Sequence, residues 1–77
     1  MTKEDPHGIE VTLDRLLVQR RMTLAELSER VGVAYPNLSI LKNNRARAVR
    51  FSTLTLLCEA LECQPGDLLR LREPSPD

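Results

Sequence analysis

TLAELSERVGVAYPNLSILKNN, residues 23–44, holds two helix starts, a glycine turn and a shared apolar face in one short span. Thr23 with Glu26 three residues later is a capping-box pattern: the hydroxyl can accept from an early backbone N–H while the carboxylate reaches back to the cap's own N–H. Met22 before the cap and Leu27 after it can close a hydrophobic staple, and Leu24, Leu27 and Val31 recur at helical spacing. A helix is therefore predicted from about Leu24, and Gly32 ends it where a positive φ carries no steric cost. After the turn, Val33, Leu38 and Leu41 aim an apolar set back at the first helix, leaving Pro36, Ser39, Ile40 and Asn43 on the far side of the second. Ala34 is a poor cap and Pro36 favours an extended Tyr35, so the start of this second helix is defined only to within a residue or two. The stretch reads as a helix-turn-helix; a generic antiparallel pair with solvated polar faces needs no glycine at this spacing.

Around it, 77 residues make one small domain. An apolar content of 42% suits a compact core, and one Phe, one Tyr and no Trp leave that core to Leu and Val, which favours an all-α bundle. No apolar run approaches the length of a membrane span and MTKEDPHG is too polar for a signal peptide, so a cytoplasmic protein is expected. Cys58 and Cys63 are expected as reduced thiols rather than a structural disulfide. His7 is the one histidine and no C-x-x-C pair exists, so no metal site is expected. No glycine-rich phosphate loop and no fixed carboxylate pair points to catalysis, and no cofactor or small-molecule ligand is implied.

The formal net charge is zero, yet the charges are sorted along the chain. Residues 1–14 carry a net minus three, residues 51–77 another minus three, and residues 15–50 set eight Arg or Lys against Glu26 and Glu29 for plus six. The positive share falls on the helix-turn-helix and its flanks, as the electrostatic footprint of a nucleic-acid partner should.

Residues 1–8 read as a flexible arm, residues 9–72 as the domain and residues 73–77 as a disordered tail. Ile9, Val11 and Leu13 alternate with polar residues as in a short strand. Thr12 can cap a first helix with Asp14 at its positive end, striped by Leu13, Leu16 and Leu17 and ending near Met22. After the motif, NNRARAVR is a basic segment without an acid. A fourth helix is predicted over residues 53–61, capped by Ser52 and stapled by Phe51 and Leu56, with Leu54, Leu57, Cys58 and Leu61 on its apolar side. Gln64, Pro65 and Gly66 interrupt, one further turn follows at residues 67–69, and LRL alternates as a second short strand. The two strand patterns can pair within one chain or across a dimer.

Leu27, Ser28, Gly32, Val33, Leu38 and Leu41 stand where the lambda-repressor-like, XRE-type (Cro-like) helix-turn-helix family places its apolar, small, glycine and apolar signature residues. The flanking LSILKNN and FSTLTLLCEAL also resemble its small bacterial and phage members, so the likeness covers residues 13–69. It implies an all-α, compact four- to five-helix lambda-repressor-like DNA-binding domain with short N- and C-terminal strands. It further implies a sequence-specific transcriptional regulator, expected to be a repressor, whose third helix enters the major groove of double-stranded DNA. Matched position by position, Tyr35, Pro36, Ser39 and Ile40 take the base-facing places, with Asn37, Asn43 and Asn44 flanking them at phosphate distance. For Lys42, Arg45, Arg47 and Arg50 charge alone suffices, since a basic loop beside a groove helix attracts the DNA backbone. Arg15, Arg20 and Arg21 either reach outer phosphates or form a solvated helix face. A homodimer reading two half-sites is expected, with the strand ends and Leu56 as candidate contacts.

The chain departs from the family pattern at four places. Leu24 replaces a glutamine that anchors phosphate, Ser28 replaces alanine, and Asn44 replaces glycine at a position where Asn tolerates the left-handed conformation. On the reading face, Pro36 and Ile40 offer no side-chain hydrogen bond, although Ile40 can meet a thymine methyl. That apolar pair also suits an alternative on the same fold, a protein-interaction module such as an antitoxin or adaptor.

Overall fold

The computed structural model describes residues 8–72; the expected arm, Gly8 apart, and the expected tail lie outside them. In chain order the elements are β1 (Ile9–Val11), α1 (Leu13–Arg20), α2 (Leu24–Val31), α3 (Tyr35–Lys42), α4 (Phe51–Leu61), α5 (Pro65–Leu68) and β2 (Leu69–Leu71). Five helices and a two-stranded antiparallel sheet match the expected class, and the strands pair within the chain, Ile9 opposite Leu71 and Val11 opposite Leu69.

Each helix buries the stripe that its spacing predicts. Leu13, Leu16 and Leu17 of α1, Leu24, Leu27 and Val31 of α2, Leu38 and Leu41 of α3, Leu57 and Leu61 of α4, and Leu68 of α5 form one core, and among the described residues no polar or charged residue is buried with them. α2 packs on both α3 and α4, while α1 touches α3, α4 and α5 from the other side. Burying leucines from every helix against one another is the main favourable term for so small a domain.

The two motif helices begin and end on local signals. Glu26 N–H donates to Thr23 Oγ1 at 3.0 Å and Thr23 N–H donates to Glu26 Oε1 at 2.9 Å, the reciprocal capping box. Gly32 adopts φ 72° and donates its N–H to the Ser28 carbonyl at 2.9 Å. The Ser28 hydroxyl then donates to the Val33 carbonyl at 2.6 Å, so a serine where alanine was expected ties the end of α2 to the turn that follows.

Several starts differ from expectation. Thr12 makes no cap bond; its hydroxyl donates instead to the carbonyls of Asp67 at 2.6 Å and Leu68 at 3.2 Å, fastening α1 to α5. α1 also stops at Arg20, with Arg21 left-handed at φ 54°, short of the expected end near Met22. In α3 the extended residue is Ala34 and Tyr35 is already helical, which places Pro36 in the first turn where its missing N–H has no helical acceptor. α4 starts at Phe51, two residues early, with Arg50 at the cap position. Phe51 is 85% exposed, so the predicted staple over Ser52 does not form. α5 spans Pro65–Leu68, one to two residues earlier than read, and opens with Gln64 N–H donating to Asp67 Oδ2 at 2.9 Å.

Two substitutions separate backbone from packing contributions. Gly32→Ala should lower unfolding free energy by about 1–2 kcal/mol through the left-handed backbone alone, because no heavy atom lies within 4 Å of a Cβ built there. Leu57→Ala, in the fully buried centre, should cost about 2–5 kcal/mol. Urea unfolding of both variants measures the contrast.

Candidate nucleic-acid interface

The face of α3 turned away from Leu38 and Leu41 carries Tyr35, 50% exposed, and Ile40, 46% exposed, together with exposed Pro36 and Asn43, while Asn37, also exposed, lies at its edge beside Leu41. Ser39, half-buried, is linked to this face by Asn43, whose Nδ2 donates to Ser39 Oγ at 3.3 Å. The helix thus presents a ring, a proline, an aliphatic side chain and a short hydroxyl–amide pair. Those groups can meet thymine methyls and base-edge donors or acceptors.

Cationic residues border this face. Arg45, Arg47 and Arg50 are exposed, and their guanidinium groups have no hydrogen bond or ion pair among the described residues. Lys42 is half-buried and its Nζ lies 3.6 Å from Asp14 Oδ1. An exposed ion pair of this kind is weak and gives way readily to a phosphate. The start of α4 adjoins the same segment, and α3 itself starts at Tyr35. Neither α3 nor α4 has a side-chain cap or an acidic residue in its first turn, whereas α2 has both. Uncapped helix starts free of carboxylates leave N–H groups and the positive end of the helix dipole available to an anion.

Two candidate residues turn inward instead. Asn44, left-handed at φ 62°, uses its side-chain amide on the backbone of Val11. Arg20 donates from Nε to the Leu61 carbonyl at 2.6 Å and from Nη2 to the Glu62 carbonyl at 3.2 Å, so it closes the C-terminus of α4. Sequence reading left Arg20 between a phosphate contact and a solvated face; its partners lie about forty residues away and carry no local signal. The start of α4 with Phe51 was also missed, though the absence of a capping residue at position 50 was readable.

A family model for the Cro/C1-type HTH DNA-binding domain matches residues 12–74, most of the chain. The chain belongs to that family. It is also 56% identical over 65 residues to a protein of Bacillus subtilis (strain 168) described as the uncharacterized HTH-type transcriptional regulator YozG, a match covering 84% of this chain and 77% of that protein. Family membership favours DNA over a protein-interaction module as the role of this chain. Among the described residues no helix is long and apolar enough to cross a membrane.

A separate open depression of about 710 Å³ lies between α4 and α5, lined by Phe51, Leu54, Cys58 and Cys63 among others, away from the α3 face. Both cysteines are free, and Cys63 N–H donates to the Cys58 carbonyl at 3.0 Å around left-handed Glu62. Burial first, and the neighbouring Cys58 second, push the Cys63 thiol up to about 11 from 9.0. The folded chain holds this proton more tightly than the unfolded chain, so the contribution is fully present below pH 9 and is lost as pH rises toward 11. Comparing the alkaline unfolding profile with that of Cys63→Ser should show a steeper loss for the native chain across that window. Arg20→Ala should cost about 1–2 kcal/mol in urea unfolding, and Arg20→Lys should recover only part, since a single ammonium cannot match the two-carbonyl fork.

Proposed function

We propose that this chain is a sequence-specific transcriptional regulator, a repressor acting from the cytoplasm as a homodimer on two half-sites. The observation that carries the DNA reading is the placement of Tyr35, Pro36, Ser39 and Ile40 on the outer face of α3, a helix without a side-chain cap that is followed by three arginines without partners among the described residues and by the equally uncapped start of α4. In this account α3 lies in the major groove. Ser39 and Asn43 exchange their mutual hydrogen bond for base-edge contacts, and Ile40 packs on a thymine methyl.

Phosphate positioning falls to Arg45, Arg47, Arg50 and Lys42, with Asn37 at the rim. A zero net charge is no obstacle, since the acidic share lies at the chain ends, outside the segment that meets the duplex. Dimerisation is supported by the small number of base contacts one such helix makes and by the two-fold symmetry of operators that suit this docking mode. Exposed Leu56 of α4 and Leu71 at the sheet edge supply apolar contact area for it.

Selection of duplexes from a random library, followed by titration of the winner against ionic strength, tests the reading. A two-fold symmetric site and a steep salt slope are expected; no enriched sequence with weak, salt-insensitive binding would overturn it. Arg47→Ala should weaken binding to all sequences alike and reduce the salt slope by about 0.9. Ile40→Ala or Ser39→Ala should instead change which sequence is preferred, by about 1–3 kcal/mol at the affected base pair.

A further inference from the structure

We infer that Asn44 is a positioning residue: its side chain clamps the end of α3 to the outer edge of β1 and so sets where the basic segment 45–50 meets the DNA backbone. The inference rests on the DNA reading above and concerns a residue which that reading alone would place against phosphate.

The geometry starts from the register of the sheet. Thr12 N–H donates to the Leu68 carbonyl at 2.8 Å and Arg72 N–H donates to the Gly8 carbonyl at 2.6 Å, so the peptide groups of the even-numbered residues face β2. Val11 is odd, and its N–H and carbonyl point to the opposite edge. Asn44 meets both there: Oδ1 accepts from Val11 N–H at 2.6 Å, and Nδ2 donates to the Val11 carbonyl at 3.3 Å. The carboxamide takes the place that the peptide of a third strand would fill. A two-stranded sheet of three-residue strands is marginal by itself, so closing its open edge matters to both partners.

The backbone of Asn44 is fixed on the other side. Its N–H donates to the Leu41 carbonyl at 3.1 Å, and Arg45 N–H donates to the Ile40 carbonyl at 2.9 Å, which ends α3 in a left-handed turn. Glycine would adopt φ 62° at no steric cost and would leave Val11 unbracketed. Asparagine provides the turn and the clamp together. Both of its side-chain polar atoms are engaged by Val11, which turns the carboxamide toward β1 and leaves one Nδ2–H as its remaining donor.

Asn44→Gly keeps the turn and removes only the clamp, and thermal unfolding first confirms that the variant folds. The expected result is faster hydrogen exchange at the Val11 amide, with affinity for the selected duplex lowered about three- to tenfold and the salt slope unchanged. Asn44→Asp, which keeps the acceptor for Val11 N–H, should retain most of the Val11 protection. Unchanged affinity in Asn44→Gly, or a salt slope reduced by about 0.9 as for a lost phosphate contact, would overturn the positioning role while the DNA reading stands. Failure of the native chain to bind duplex with a steep salt slope would instead overturn the DNA reading, and the positioning role with it.

Discussion

The turn at Gly32 is the constraint on which the rest of the molecule depends. A left-handed residue there, at φ 72°, lets α3 reverse across α2 so that Leu38 and Leu41 reach the same core as Leu27 and Val31. The Ser28 hydroxyl on the Val33 carbonyl holds the exit of the turn. With α3 seated by two leucines only, one face of it is buried and the other must remain open. The face offered to a partner is therefore a consequence of how the core closes.

Charge placement then determines what that open face meets. Carboxylates gather toward the chain ends, while the segment between α3 and α4 carries arginines without partners among the described residues and leads into the acid-free start of α4. Each of these features is unfavourable or neutral in an isolated domain, since capping groups and ion pairs at those sites would have been stabilising. Their joint absence at one surface, beside full capping at the start of α2, is what a polyanion would complete.

Most of the architecture was legible because its signals are local. The Thr23–Glu26 box, the positive φ of Gly32 and of Asn44, the leucine stripes and the two alternating strand ends each depend on residues within a turn or two of one another. The contacts that were not legible share the opposite property. Thr12 bonds across 55 residues to Asp67, Arg20 across 41 to Leu61, and Asn44 across 33 to Val11. A hydroxyl or amide that suits a local cap is equally suited to a distant carbonyl, and only the assembled core determines which it finds. Phe51 is the converse case: helical spacing places it beside a staple partner, yet nothing in the core covers it. For the outer face of α3, the exposure of Pro36, Ile40 and Asn43 followed from periodicity, whereas the hydrogen bonds of Asn44 to Val11 required the assembled sheet.

The most direct test of the account is an amide NMR titration of the chain with its selected duplex, reading which residues shift or broaden at substoichiometric DNA. The account predicts perturbations concentrated on residues 35–43 and 45–50 and on the first turn of α4, with the α4–α5 depression around Cys58 and Cys63 unaffected. Perturbations centred on that depression, with the outer face of α3 silent, would contradict it.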